Sequence, residues 1–186
     1  IDPQDVGALM DAFLSHITAD TVITALGSLA CIVAAITDYK FGKIYNWLTL
    51  PLLVLGLGFS FYQGLGFLGS AALASLLTFA CFFPLNILGI MGAGDGKLVM
   101  ALSAFLGLRA SLDFVFLTFL VGGVAGFVIL VLKGTLKDFL IEVYKFLQSI
   151  FIKDLKVAKP RFKNETKIPF GLAIGLGFFL QRMGVL

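Results

Sequence analysis

Two aspartates are the residues of this chain best suited to chemistry. Asp38 sits in "AAITDYKFGKIYNWLTL" (34–50) and Asp95 in "ILGIMGAGDGKLVMALSAF" (87–105). Each borders a run of apolar residues, where a lone carboxylate costs free energy to keep. Two carboxylates a few ångströms apart cannot both ionise easily, so such a pair holds one proton near neutral pH. One member can then take a proton from water while the other donates one to a carbonyl oxygen or a departing amine. Gly92, Gly94 and Gly96 surround Asp95 and permit close backbone approach, so an extended substrate can lie against the segment. A helix beginning at about residue 96 would place favourable potential beside its charge.

Both aspartates also have plainer readings. Asp95 can simply cap a helix, and Asp38 can be a loop residue beside Lys40 and Lys43. Lys97 reads as a border residue whose ammonium snorkels towards water and tunes Asp95 electrostatically, rather than as a reacting group. Other chemistries find less support. His16 is the sole histidine and lies near the N-terminal end, which argues against a serine–histidine protease, and no HExxH occurs. Cys31 and Cys81 lie unpaired within apolar runs and read as small hydrophobes. No metal and no organic cofactor is implied.

The elements that must position the aspartates are membrane helices. Hydrophobic residues make up 59% of the 186 and charged residues 13%, with a mean hydropathy of +1.02. Soluble domains carry roughly 25% charge. Apolar runs of about 18 residues or more read as helices crossing about 30 Å of hydrocarbon. The runs predict an all-α polytopic bundle of six transmembrane helices, at about 18–37, 47–63, 66–90, 96–108, 113–132 and 168–185. The fourth is short, but 98–132 is too long for one crossing and "RASLD" (109–113) interrupts it, so two helices and a tight turn are expected.

Positive charge marks the cytoplasmic face. In the six-span reading Lys40, Lys43, Lys97 and the nine basic residues from Lys133 to Lys167 share one side; Arg109 and Arg182 take the other, with Asp2, Asp5, Asp11 and Asp20. Both termini are therefore expected outside. Joining the fourth and fifth helices would set Lys133–Lys167 opposite Lys40, so charge favours six. Between Asp38 and Asp95 the chain crosses twice and returns to its starting side. Both acids then stand at the cytoplasmic border of an inner cell membrane, where packing can unite them.

Residues 1–17 are expected to form an extracytoplasmic leader; the opening Ile1-Asp2-Pro3, without an initiator Met, reads as a remnant of expression, and with no basic stretch before the first apolar run a cleavable signal peptide is not expected. Leu136, Phe139, Leu140, Val143, Leu147, Ile150 and Phe151 recur at helical spacing opposite Lys137, Asp138, Glu142, Lys145 and Lys153. This predicts an amphipathic helix at the cytoplasmic interface, within a segment of about 134–166, near anionic lipid; a nucleic-acid role for its basic residues is disfavoured by that apolar face. Gly122 with Gly126, and Gly171 with Gly175, are small-xxx-small pairs suited to close helix contact.

Three stretches resemble the type IV prepilin peptidases and the related archaeal preflagellin peptidases. "GAGDGK" (92–97) resembles the GxGD motif and its lysine, "DYKFGKIYN" (38–46) the first aspartate segment, and "KIPFGLAIGLG" (167–177) the Pro-Phe-Gly opening of the last helix. The resemblance, running from about 20 to 186, implies a membrane aspartic endopeptidase of the GxGD bundle type. It would cut short basic leaders from prepilin-, pseudopilin- or preflagellin-like substrates at the cytoplasmic membrane border. It carries the catalytic role onto Asp38 and Asp95, and marks Asn46, Gly92, Gly94, Lys97, Pro169 and Gly171 as supporting motif residues. These 186 residues lack the paired CxxC motifs of the larger bifunctional members, so the resemblance is to a short form without methyltransferase activity. The rival readings are a small proton-coupled transporter or channel using the same acids, and a non-catalytic assembly subunit.

Overall fold

The computed structural model describes residues 3–87, 91–151 and 170–185. They form α1 (Pro3–Phe41), α2 (Asn46–Tyr62), α3 (Leu65–Ile87), α4 (Ala93–Leu132), α5 (Leu136–Phe151) and α6 (Phe170–Arg182), with no strand among the described residues. Among the described residues, three stretches are long and apolar enough to cross a membrane: Asp20–Phe41, Leu65–Asn86 and Ala93–Leu132. α2 and α6 are shorter apolar helices.

α4 is not one rod. A straight helix of 40 residues would be about 60 Å long, twice the hydrocarbon thickness. Gly107 breaks it at φ 72°, ψ 179°, a conformation that strongly favours glycine. Beyond the break the chain doubles back. The Ser111 hydroxyl donates to the Ser103 carbonyl at 3.3 Å, although eight helical residues would separate them by about 12 Å. Phe82 of α3 makes the same point, since its Cβ packs against Gly96 while its ring stacks on Phe119 at 4.8 Å. The arms 93–106 and 108–132 therefore run antiparallel. The Leu108 N–H, freed by the break, donates to Ser70 Oγ at 2.9 Å.

Two helices were expected here, but with the turn in "RASLD". Arg109 and Asp113 instead lie inside the second arm, because charged side chains are compatible with helical backbone and a left-handed dihedral is not. Other differences are at helix ends: α1 continues back to Pro3, and the expected ends at 88–90 and 168–169 lie outside the described residues. The expected amphipathic helix is α5; the rest of that segment, 152–166, also lies outside them.

The first arm of α4 is the centre of the bundle. Leu98, Val99, Ala101, Leu102 and Ala104 are fully enclosed. The second arm buries one stripe (Phe114, Leu117, Thr118, Gly122, Gly126) and turns Phe116, Leu120, Val124 and Phe127 outward. Such outward apolar faces suit a lipid solvent, and several, though not all, of the buried hydroxyls find partners within the protein. Ser60 Oγ donates to the Ala104 carbonyl at 2.6 Å, and Ser75 and Thr78 donate back to Ala71 and Ala74.

Small residues set the helix contacts. α2 meets the first arm where Gly56 faces Ala104 and Phe105. α6 meets the second arm where Gly177 lies against the Thr118 backbone and Gly122 against the Phe170 ring. α1 leans on α6: Gly27 on the Phe178 ring, Cys31 on Gly175, and Ala34 and Asp38 on Gly171. At the opposite end of this contact Arg182 binds Asp20 and Thr24, each at 2.9 Å. Of the four expected small-xxx-small glycines, Gly122, Gly171 and Gly175 thus face another helix directly.

Candidate active site

Asp38 and Asp95 come from opposite ends of the α2–α3 excursion. Asp38 lies in the last turn of α1, at the unfavourable end of that helix's dipole. The first turn of α6 compensates, because the Gly171 N–H donates to Asp38 Oδ2 at 3.0 Å. A Cβ on Gly171 would stand 3.2 Å from both Cβ and Oδ2 of Asp38, so glycine permits this seating. Backbone amides are charge-assisted donors to a carboxylate, the stronger kind of hydrogen bond.

Asp95 is the third residue of α4, a turn earlier than a helix from 96 would allow. Its Oδ2 accepts the N–H of Gly92 at 3.0 Å, and its own N–H donates to the Gly92 carbonyl at 3.1 Å. This reciprocal closure is a capping box with glycine at the cap, where backbone replaces the cap side chain. Capping and chemistry are thus compatible roles for one residue. Asp95 is 7% exposed, whereas Asp38 is half-buried. The Asp38 carboxylate is near enough to act electrostatically on Asp95.

The turn between α1 and α2 completes the arrangement. Gly42 adopts φ 61° and donates to the Asp38 carbonyl at 2.8 Å, which ends α1. Ile44 then lies across Gly94: a Cβ there would meet the Ile44 carbonyl oxygen at 2.5 Å and its Cβ at 2.8 Å. Lys97 Nζ donates to Asn46 Oδ1 at 2.9 Å, tying the first turns of α4 and α2 together. Lys97, whose sequence context predicts a snorkelling border residue, is exposed in part and also bridges two elements.

Of the sequence-derived site residues, Asp38, Asp95, Asn46, Gly92, Gly94, Lys97 and Gly171 gather at one end of the bundle through these contacts. Pro169 lies outside the described residues. Sequence reading had missed three contributors. Ile44 acts through its backbone, Phe82 covers Gly96, and Asn86 Nδ2 donates to the Met91 carbonyl at 3.2 Å, steadying the approach to the glycine segment. Asn86 alone left a signal, as a polar residue closing an apolar helix; the other two look like any hydrophobe. Chemically, the arrangement offers two carboxylates at one end of the bundle, each held by one backbone N–H, with Asp95 buried and Asp38 partly exposed.

Known proteins bear on this geometry. Residues 25–127 match the type IV leader peptidase family. Two curated relatives, both prepilin leader peptidase/N-methyltransferases, one from Aeromonas salmonicida and one from its strain A449, are each 32% identical over 140 residues. That alignment covers 68% of this chain and 48% of each relative, so the chain spans about half the length of the curated relatives it matches. No solved structure matches the chain. The family match takes in both aspartates and more than half of the residues, and the chain belongs to the type IV leader peptidase family.

Proposed function

We propose that this protein is a membrane aspartic endopeptidase of the GxGD type that removes the basic leader from prepilin-like or preflagellin-like substrates. In this reading six helical segments cross the inner cell membrane: the spans of α1, α2 and α3, the two arms of α4, and α6. The amphipathic α5 lies at the cytoplasmic interface, and residues 1–17 lie outside. The site opens at the cytoplasmic border.

The convergence of Asp38 and Asp95 carries the reading. They come from helices separated by two passages of the chain and meet with their charges interacting and one backbone N–H on each. The pair holds one proton. The ionised carboxylate takes a proton from water, whose oxygen attacks the scissile carbonyl; the protonated partner gives its proton to the carbonyl oxygen. As the tetrahedral intermediate collapses, one of its hydroxyls returns a proton to the ionised carboxylate, the carbonyl re-forms, the C–N bond breaks, and the departing amine takes the proton held by the other carboxyl, so the dyad again holds one proton. Gly92 and Gly171 hold the carboxylates through backbone N–H groups. Asn46, Lys97 and Gly94 fix the α2 and α4 first turns that carry the site.

The test is reconstitution with a prepilin-type polypeptide: a basic leader, a glycine at the junction and an apolar helix. Asp38→Asn and Asp95→Asn are each expected to abolish cleavage while the protein remains folded in detergent. Cleavage retained in either variant removes that aspartate from the mechanism. A wild-type protein inert on several such substrates removes the activity.

A further inference from the structure

At the end of the bundle away from the aspartates, the break at Gly107 borders an open cavity of about 310 Å³. Phe67 and Ser70 of α3 line it on one side, and Arg109 and Asp113 of the second arm of α4 on the other. Its volume is at the small end of ligand sites, which run from about 300 to 1,000 Å³. Ser70 Oγ accepts the Leu108 N–H, so its own O–H remains able to donate.

Arg109 and Asp113 stand at i and i+4, the spacing at which opposite charges on a helix can pair. Yet among the described residues neither forms an ion pair. Their order accounts for this, because a cation N-terminal to its anion is opposed to the helix dipole and pairs less well. Arg182, at the same end of the bundle, is paired with Asp20. Unpaired charges are costly beside hydrocarbon and need partners. The first arm, 93–106, is about 21 Å long against about 30 Å of hydrocarbon, so lipid headgroups must come inward at one of its ends or both.

We infer that this cavity binds the headgroup of a lipid carrying a phosphate and a primary ammonium, of the phosphatidylethanolamine class. Arg109 and the Ser70 hydroxyl donate to the phosphate oxygens, and the Asp113 carboxylate accepts from the ammonium. A purely anionic headgroup suits the cavity less, since Asp113 repels it. A choline headgroup matches both charges but has no N–H for the carboxylate. The acyl chains also have a place. Phe116, Leu120 and Val124 continue the Arg109–Asp113 face along the second arm at helical spacing, and all three are exposed. The site exists whether or not Asp38 and Asp95 hydrolyse peptides.

Native mass spectrometry of the full chain, stripped of lipid in detergent, tests this. The probes are phosphatidylethanolamine, phosphatidylcholine and phosphatidylglycerol with identical acyl chains, and soluble glycerophosphoethanolamine. Phosphatidylethanolamine is expected to bind about tenfold or more tightly than the other two lipids, the difference that a charged hydrogen bond makes. Arg109→Gln and Asp113→Asn should each lower it to the level of phosphatidylcholine. Arg182→Gln, which alters a paired arginine at the same end, should leave it unchanged. Glycerophosphoethanolamine should fail to displace the lipid at equal concentration.

Equal binding of the three lipids, or tighter binding of phosphatidylglycerol, overturns the site. That comparison needs no variant, so it decides the matter even if a substitution unfolds the protein. A preference for phosphatidylethanolamine that survives both Arg109→Gln and Asp113→Asn overturns it too, because the lipid then sits elsewhere. Displacement by glycerophosphoethanolamine overturns the lipid as occupant in favour of a free headgroup.

Discussion

Gly94→Ala separates a glycine that holds the site from one that merely occurs in a helix. Gly94 and Gly58 are both helical, and neither has a left-handed backbone. By propensity alone, alanine at either position is worth about 0.5–1 kcal/mol in favour of the fold. Space decides otherwise. At Gly58 a Cβ meets nothing within 4 Å. At Gly94 it meets the Ile44 carbonyl oxygen at 2.5 Å and Ile44 Cβ at 2.8 Å. The carbonyl cannot rotate away as a side chain can, so either the 42–45 turn or the first turn of α4 must move. Overpacking of this kind costs about 1–3 kcal/mol, which offsets the propensity gain and leaves a net loss of up to about 2.5 kcal/mol. The displacement falls between Asp38, whose carbonyl anchors Gly42, and Asp95, one residue from Gly94, so catalysis is expected to fall further than stability. A misplacement of about 1 Å can cost roughly a hundredfold in rate. The assay is thermal unfolding in detergent beside the initial rate of leader cleavage. Gly58→Ala should unfold at or above the wild-type temperature and cleave normally; Gly94→Ala should unfold lower and cleave at least tenfold more slowly, about 1.4 kcal/mol in the barrier. Equal behaviour of the two variants would refute the claim that Ile44 on Gly94 sets the site.

Other perturbations probe the remaining contacts. Gly171→Ala places a Cβ 3.2 Å from the Asp38 carboxylate and disturbs its N–H donor; the loss of a charged hydrogen bond, about 1.5–3 kcal/mol, should appear as a 10- to 150-fold drop in kcat with the fold retained. Lys97→Met and Asn46→Leu are expected to be non-additive in a double-mutant cycle on cleavage rate, since they remove one 2.9 Å bond; additive losses would mean that the pair does not act as a unit. Arg182→Gln breaks an ion pair whose aspartate is 69% exposed, so unfolding and cleavage should change little, with any stability loss below about 1 kcal/mol. The cleavage rate should be bell-shaped in pH, because a dyad with no proton lacks its acid and a dyad with two lacks its base. A rate that only rises or only falls across the range would contradict a shared proton.

Much of this protein was legible along the chain, because membrane helices announce themselves locally. Apolar runs placed α1, α2, α3 and α6 to within a few residues, except where α1 continues back to Pro3, and periodicity placed α5. The pairing of the two aspartates was an expectation from parity: two apolar helices, α2 and α3, stand between Asp38 and Asp95, and an even count returns a chain to its starting side. The hairpin in α4 was inferable from length, but its position was not. "RASLD" carries the visible polarity, whereas the chain turns at Gly107, since backbone conformation rather than side-chain charge interrupts a helix.

Tertiary structure decided which small and polar residues matter. The motifs single out Gly94 and Gly171 and pass over Gly58, but only packing shows what each does: it sets an Ile44 carbonyl against Gly94 and an Asp38 carboxylate against Gly171, and leaves Gly58 in open space. Likewise the composition near Asn46 and Lys97 does not reveal that they bond to each other across two helices, or that α1 leans on α6 rather than on its neighbour α2. Hydrophobicity and helical period are properties of short stretches and can be read there. Contacts between distant stretches depend on how close two backbones come, and that is determined by all the helices packing at once.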